Sequence, residues 1–360
     1  MEQDVPVRSL RLLPGEGWRV RNAVPGKLQR WLWALAVLAL LSGAALYLVY
    51  ADYRSFLDTP LDAPASGLTL ELKPGMKMAD LVAELQRQPG LLRSALYLHG
   101  YARLNGLASR LKAGEYAITP GMTPRRLLAQ IVNGRVIQYS LTVVEGWTFQ
   151  QLRRALATHP KITQTLREAS DAEIMARLGR PAEHPEGRFF PDTYHFPAGL
   201  TDEAFLHRAL LAMDRRLNQA WGQRSPQLPL SDPYQALILA SIVEKETGLA
   251  TERAAIAGVF TRRLQQGMLL QTDPTVIYGL GDAFDGNLRK TDLTTDTAYN
   301  TYTRKGLPPT PIALPGAAAL AAAVNPASGD ALYFVANGQG GHIFSRTLNE
   351  HNQAVRRYQH

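Results

Sequence analysis

One stretch of this sequence joins an apolar helix to carboxylates at its end, and it is the strongest candidate for chemistry. An N-cap residue at Asp232 and a helix stop at Gly248 predict a helix over about residues 233–247. Its body is apolar on all sides, which is typical of a buried helix. Glu244 lies near the end, where partial desolvation would raise the pKa of its carboxyl, as a general acid near neutral pH requires. The alternative is a hydrated helix end whose charged residues only meet solvent.

Long polar loops follow this helix and carry aromatic, amide and hydroxyl side chains. They cover residues 271–278, 299–302 and 306–312, and loops of this length in a compact domain are usually functional. Aromatic rings offer flat faces for stacking, while amides and hydroxyls offer donors and acceptors for sugar hydroxyls. The loop composition therefore favours a carbohydrate ligand.

A second carboxylate is the open question, because cleavage of a glycosidic bond ordinarily uses an acid together with a base or nucleophile. Glu244 and Glu246 are two positions apart on the predicted helix, so their side chains point about 200° apart and cannot flank one bond. Another carboxylate would come from Asp273, Glu186 or Asp192. A single Glu would suffice if the substrate supplied its own nucleophile.

Several other chemistries lack the residues they need. The chain has no cysteine, which excludes disulfides, thiol catalysis and cysteine metal sites, and its eight histidines form no HExxH pair. The glycine-rich turn at residues 338–341 lies between two predicted strands and is followed by no Lys-Ser or Lys-Thr, which favours a hairpin over a phosphate site. No Gly-x-Ser-x-Gly motif is present for acyl transfer. We therefore predict no metal and no cofactor.

A length of 360 residues exceeds the usual size of one domain, so we expect more than one. The composition is that of a folded protein, since 46% of the residues are hydrophobic and 19% are charged. The net charge of +8 suits a polyanion. Because the chain carries no nucleic-acid recognition motif, we predict no nucleic-acid partner.

Residues 31–50 form one apolar segment without a charge, about the length that crosses a hydrocarbon core. Aromatic residues lie at both of its ends, and a basic tail of residues 1–30 precedes it. The positive-inside rule then places the N-terminus in the cytoplasm and everything after the span across the membrane. A cleaved signal peptide is the alternative, but its apolar region is usually shorter, about 7 to 15 residues.

Downstream of the span the sequence divides into three parts. Residues 51–67 form a linker, residues 68–142 repeat the order strand, glycine turn, helix, and residues 143–360 mix helices, strands and long loops. The repeat unit resembles half of a LysM module, a small fold that binds N-acetylated glycans, and a packing or spacer domain is the alternative. We therefore predict an α+β fold with a single N-terminal transmembrane helix, a small LysM-like α/β module and a larger α+β catalytic domain.

Seven motifs carry a resemblance to a known family. They are Glu-Gly at 186–187, Phe-Pro-Asp-Thr-Tyr at 190–194, Ala-Ser-Ile-Val-Glu-Lys-Glu-Thr at 240–247, Leu-Gln-Thr-Asp-Pro-Thr-Val-Ile-Tyr-Gly at 270–279, Tyr-Asn-Thr-Tyr at 299–302, Gly-Leu-Pro-Pro at 306–309 and Tyr-Phe-Val at 333–335. Together they resemble the YceG-like endolytic murein transglycosylases (MltG family). The resemblance implies a lytic transglycosylase, anchored by one span in the inner membrane, with a periplasmic catalytic domain. Such an enzyme cleaves the β-1,4 bond between N-acetylmuramic acid and N-acetylglucosamine in nascent peptidoglycan strands, which limits strand elongation and leaves 1,6-anhydro ends.

The resemblance also assigns roles to residues of the site. It places the catalytic glutamate at Glu244, which would protonate the glycosidic oxygen as an acid. As a base, Glu244 would then take the proton from the sugar's C6 hydroxyl, which attacks C1, so no protein nucleophile is needed. A loop-structuring role is the alternative for each predicted substrate-binding residue. These residues are Asp273, Asn300, Tyr302, His342, Gln271 and Tyr299.

The predicted partners are peptidoglycan strands, the inner membrane and, by family analogy, peptidoglycan synthases. Two other functions stay open at this point. One is a two-carboxylate peptidoglycan hydrolase that uses Glu244 with Asp273. The other is a non-catalytic, membrane-tethered scaffold that binds glycan.

Overall fold

The structure, a computed structural model, describes residues 26–358 and opens with a long helix, α1 (Gly26–Asp58). This helix contains the predicted span of residues 31–50, whose side chains are all exposed. Among the residues described, it is the one helix long and apolar enough to cross a membrane. Of the predicted basic tail, residues 1–25 lie outside the described residues, and residues 26–30 are the first turn of α1.

The last turns of α1 continue past the predicted span because they pack in the first of two compact units. The first eight residues of the predicted linker, 51–67, are therefore helical as far as Asp58. Phe56 is buried and lies against the ring of Tyr97 at a centroid distance of 5.7 Å. The hydroxyl of Tyr97 also donates to Asp52 at 2.9 Å, which ties α1 to a neighbouring helix of the same unit.

The predicted order of strand, glycine turn and helix is confirmed in all three copies. A glycine with positive φ, the conformation that favours glycine, makes each turn: Gly75 at 87°, Gly121 at 81° and Gly146 at 77°. The first two strands pair with each other, whereas the third pairs with a later strand. In chain order the elements are β1 (Leu68–Leu72), α2 (Met78–Gln86), α3 (Ala95–Leu104), β2 (Gly114–Ile118), α4 (Pro124–Asn133), β3 (Gln138–Thr142) and α5 (Phe149–Thr158).

The second compact unit contains the chain from residue 133 onward, together with residues 69–75 and 112–117. Its mixture of helices and short strands agrees with the predicted α+β class. Of the two hydrophobic cores described in this unit, the smaller is built around the stacked rings of Phe149 and Phe189, whose centroids are 5.0 Å apart. The remaining elements are β4 (Ile162–Thr163), α6 (Asp171–Arg177), β5 (Thr193–Pro197), β6 (Leu200–Thr201), α7 (Asp202–Gly222), α8 (Pro233–Glu246), α9 (Arg253–Gln265), α10 (Asp273–Leu280), α11 (Lys290–Thr294), α12 (Ala317–Val324), β7 (Tyr333–Ala336), β8 (His342–Ser345) and α13 (Leu348–Tyr358).

The helix predicted over residues 233–247 is α8, and it runs through the other, larger core. Asp232 caps it, since its Oδ1 accepts a hydrogen bond from the backbone N–H of Gln235 at 2.9 Å. All residues from Ala236 to Val243 are buried. Helix α12 packs on α8 through alanine side chains, which allow a close approach, while α7, α9 and α10 contact it as well. The burial predicted from its all-round apolar surface is confirmed.

Close packing between α9 and the segment after α12 makes Gly258 a sensitive position. A Cβ added to Gly258 would lie 2.5 Å from the backbone oxygen of Ala327. Gly258→Ala should therefore lower the free energy of unfolding by about 1–3 kcal/mol, although alanine normally stabilises a helix relative to glycine. Thermal and chemical unfolding of the purified protein measure the change.

Gly222→Ala is the matched control, because a Cβ at this position in α7 meets no atom within 4 Å. That variant should be as stable as the wild type or more stable by up to about 1 kcal/mol. A Gly258→Ala protein that unfolds at or above the wild-type midpoint would contradict the packing described for α9.

Candidate active site

The three charged side chains at the end of α8 lie in three different surroundings. Because successive residues of an α-helix are about 100° apart, Glu244, Lys245 and Glu246 point in different directions. Glu246 lines a cavity of 570 Å³, and Lys245 lines a second cavity of 770 Å³. Glu244 lines neither of these cavities and instead forms a buried ion pair with Arg253. The prediction that the two glutamates cannot flank one bond agrees with this arrangement.

The first cavity, called here the Glu246 cavity, brings together four of the six predicted substrate-binding residues. The loop before α10 supplies Gln271, α10 begins with Asp273, a later loop supplies Tyr302, and β8 begins with His342. The hairpin β7–β8 and α13 close its other side. The remaining lining residues are Arg263, Leu270, Tyr333, Phe334, Val335, Ala336, Leu348, His351, Asn352 and Val355.

Glu246 has the electrostatic setting of a general acid. Burial raises the pKa of its carboxyl to about 7, and the negative charge of Asp273 acts in the same direction. A hydrogen bond from the hydroxyl of Thr272 to Oε1 opposes the shift, as does His342. With a pKa near neutrality, Glu246 can both donate and accept a proton at physiological pH.

Glu244 is held in a different way. Its side chain is only 5% exposed, and its Oε1 lies 3.2 Å from a guanidinium nitrogen of Arg253. Its Oε2 accepts a hydrogen bond from the backbone N–H of Gly316, at the start of α12, at 2.8 Å. A cation and a backbone donor thus occupy both oxygens of Glu244. The negative charge of Glu244 helps to raise the pKa of the nearby Glu145, after the larger effect of burial. These contacts suit a structural ion pair better than a proton donor.

Asp273 and Tyr302 form a pair inside the Glu246 cavity. The hydroxyl of Tyr302 donates to Oδ1 of Asp273, and burial together with this carboxylate raises the pKa of Tyr302, so the phenol stays protonated. Gln271 reaches the cavity from a left-handed backbone with φ of 51°, the one non-glycine residue with positive φ among residues 26–358. Such a backbone costs about 1 kcal/mol or more and is found preferentially at functional sites. Arg263 supports it by donating to Gln271 Oε1 at 3.2 Å.

Asn300 and Tyr299 lie outside the Glu246 cavity. Asn300 is fully buried, and its amide donates to the backbone oxygens of Asp292, Leu293 and Thr295. Its Oδ1 accepts from the backbone N–H of Tyr302 at 2.9 Å. These bonds use the amide groups of Asn300 within the protein, which is the arrangement expected of the loop-structuring alternative.

The second cavity, called here the Glu186 cavity, contains Tyr299 and one of the candidate second carboxylates. Burial raises the pKa of Glu186 to about 7, opposed by a backbone N–H from Phe149 at 3.0 Å and the hydroxyl of Tyr278 at 3.1 Å. The ring of Tyr299 lies edge-on to Tyr278. Asp192 lines neither cavity, so Asp273 alone of the three candidates shares a cavity with Glu246.

Three residues of the site were not singled out from the sequence. Thr272 binds Glu246, Glu252 binds His342, and Arg263 supports the loop before α10. Thr272 was within reach of the sequence, because it stands next to Asp273 in the long polar loop. Glu252 and Arg263 gave no signal, because in the sequence they look like ordinary charged positions at the start and on the polar face of an amphipathic helix. Among residues 26–358, no group of three or more His, Asp or Glu side chains is placed to hold a metal ion.

Comparison with known proteins places this geometry in context. The model of the YceG-like family matches residues 70–357. An endolytic murein transglycosylase of Bacillus subtilis is 31% identical over an alignment of 302 positions that covers 79% of this chain and 83% of that protein. One from Streptococcus pneumoniae is 27% identical over an alignment of 366 positions, gaps included, that covers 89% of this chain and 63% of the longer relative. A crystal structure of a YceG-like protein from Listeria monocytogenes matches 80% of this chain with a TM-score of 0.52 and 29% identity.

The role of Asn300 can be tested by removing its side chain. Asn300→Ala should lower the free energy of unfolding by about 3 kcal/mol, because several buried backbone groups lose their partner at a cost of about 1 kcal/mol or more each. Asn218→Ala, at an exposed position of α7, is the control and should unfold like the wild type. An Asn300→Ala protein of unchanged stability that binds glycan more weakly would instead assign Asn300 to the substrate.

Proposed function

The chain belongs to the YceG-like family, and from that membership we propose that it is an endolytic murein transglycosylase that cleaves peptidoglycan glycan strands. The observation that carries the proposal is Glu246, a carboxyl with a pKa of about 7 in a polar cavity. Its cavity contains aromatic rings, an amide and a carboxylate, the groups that bind sugars. The relatives from Bacillus subtilis and Streptococcus pneumoniae are both named endolytic murein transglycosylases.

We propose Glu246, rather than Glu244, as the acid and base of the reaction. In the first step its carboxyl proton passes to the glycosidic oxygen, and the bond from that oxygen to C1 of N-acetylmuramic acid breaks. In the second step the Glu246 carboxylate takes the proton of the C6 hydroxyl, whose oxygen attacks C1 and closes a 1,6-anhydro ring. The same carboxyl is thereby regenerated, and water is not consumed.

The other residues of the Glu246 cavity would bind and orient the sugar. The Asp273 carboxylate, already an acceptor for Tyr302, has lone pairs left for sugar hydroxyls. Its negative charge also favours the positive charge that develops on the sugar ring in a glycosidic transition state. Gln271 offers an amide N–H₂ group, and its strained backbone places that group at the cavity wall.

We further propose that α1 crosses the inner membrane with the N-terminus in the cytoplasm. The basic residues before the apolar segment support this orientation. The enzymatic unit would then work in the periplasm on nascent strands, alongside peptidoglycan synthases, and cleavage there would limit strand length.

Isosteric substitution of the two glutamates tests the assignment. Glu246→Gln removes the transferable proton and should lower the rate of glycan cleavage by about 10²–10⁴-fold without unfolding the protein. Glu244→Gln should act on stability instead, lowering the free energy of unfolding by about 3 kcal/mol because Arg253 loses its buried partner. Digestion of purified glycan strands and thermal unfolding measure the two effects.

The opposite result would restore the assignment made from sequence. If Glu244→Gln abolished cleavage in a fully folded protein while Glu246→Gln cleaved at the wild-type rate, Glu244 would be the acid. Wild-type cleavage by both variants would reject a glutamate of α8 as the catalytic acid.

A two-carboxylate hydrolase is the second candidate, because Asp273 shares the cavity with Glu246. The two reactions differ in their products, since hydrolysis adds one water to each new reducing end. We expect mass spectrometry of the digested strands to show anhydro ends, lighter by one water. Products at the hydrated mass would favour the hydrolase with Glu246 and Asp273, and glycan binding without new ends would favour the non-catalytic scaffold.

A further inference from the structure

His342 is held in the Glu246 cavity by a carboxylate that no prediction included. Its Nδ1 lies 2.8 Å from Oε2 of Glu252, the residue just before α9. The backbone N–H of the same histidine donates to Oε1 of Glu252 at 2.9 Å. Two contacts to one carboxylate fix both the position of β8 at this point and the rotation of the ring.

Packing around this pair leaves it little freedom. A Cβ on Gly341 would lie 2.7 Å from Oε1 of Glu252, so the preceding glycine makes room for the carboxylate. The imidazole and the ring of Phe334 pack in a T-shaped arrangement, with centroids 5.3 Å apart and planes at 89°. The side chains of His342 and Glu252 are only 15% and 18% exposed. His342 and Glu252 therefore form a largely buried pair with a fixed geometry, rather than an ion pair on the surface.

The carboxylate also sets the chemistry of the ring. Burial acts to raise the pKa of Glu252, but the two hydrogen bonds from His342 outweigh it, and the pKa lies below its ordinary value. An ionised Glu252 can only accept, so Nδ1 carries a proton, and Nε2 is the acceptor of the ring in its neutral form. Nε2 has no protein partner among residues 26–358, and His342 lines the cavity.

We propose that Glu252 is a positioning residue, which holds His342 with Nδ1 protonated so that Nε2 accepts a hydrogen bond from a sugar hydroxyl in the Glu246 cavity. The proposal rests on the proposed function and adds a residue to its site. It parallels other carboxylate–histidine pairs, in which the carboxylate selects the tautomer and the other ring nitrogen does the chemistry. The titratable groups that face His342 across the cavity are Glu246, Asp273, Tyr302, Arg263, Tyr333 and His351.

Substitution of Glu252 in the full-length protein tests the proposal. Glu252→Gln keeps the size of the side chain but can donate to Nδ1, so it permits the tautomer with Nε2 protonated. We expect kcat/KM for glycan strands to fall about 10–100-fold, as is typical when a supporting carboxylate is lost. His342→Ala should cause a similar loss, and the double variant should show no further loss because both changes remove the same hydrogen bond.

Glu173→Gln is the matched control. Glu173 is also a carboxylate that accepts a backbone N–H at a helix start, from Ser170 at 2.8 Å, but it lies on α6 and lines neither cavity. This variant should cleave glycan at the wild-type rate. The thermal midpoints of all variants show whether a lost activity reflects unfolding.

A nitrogen NMR measurement on ¹⁵N-histidine protein separates positioning from a merely structural role. The wild type should show His342 protonated at Nδ1, and Glu252→Gln should show protonation moved to Nε2 while the fold is retained. Wild-type kcat/KM in Glu252→Gln, an unchanged tautomer, or additive losses in the double variant would overturn the proposal. Absence of cleavage by the wild type itself would instead refute the proposed function.

Discussion

Burial of α8 on every side is the constraint on which the rest of the site depends. A helix covered by α7, α9, α10 and α12 cannot rotate, so the directions of the side chains at its last turn are determined by the core. Glu244, Lys245 and Glu246 therefore enter an ion pair, the Glu186 cavity and the Glu246 cavity respectively. A rotation of α8 by about 100°, the angle between successive residues, would move each of these side chains into different surroundings.

The two glutamates show how surroundings divide roles between identical side chains. Glu244 meets Arg253, and this cation compensates the cost of burying its charge. Glu246 forms no ion pair with an arginine or a lysine within residues 26–358. Arg263 also lines its cavity, but its guanidinium donates to the backbone oxygens of nearby loops. Burial, which the Thr272 hydroxyl and His342 offset only in part, raises the pKa of Glu246 to about 7, as suits a proton donor near neutral pH.

The site is assembled from loops whose geometry depends on distant hydrogen bonds. Asn300 holds the loop that delivers Tyr302, Arg263 supports the loop that delivers Gln271, and Glu252 holds the histidine of β8. The contact of Asn300 is local in sequence, whereas Arg263 lies 8 residues from Gln271 and Glu252 lies 90 residues from His342. A binding surface built on loops needs such support, because loops lack the regular backbone hydrogen bonds of helices and strands.

Local patterns by themselves determined much of this protein. The apolar surface and the caps of α8 predict its bounds to within one residue, the glycine turns predict three strand–helix units, and the uncharged segment predicts the apolar helix α1. The resemblance to the YceG-like family also drew attention to four residues that share one cavity, namely Gln271, Asp273, Tyr302 and His342. Only the tertiary structure distinguished Glu246 from Glu244 and revealed Glu252, because pKa values and ion pairs depend on partners far apart in the chain. Helical periodicity predicts that Glu244 and Glu246 point apart. The packing of the core decides that Glu244 meets Arg253 and that Glu246 lines the cavity.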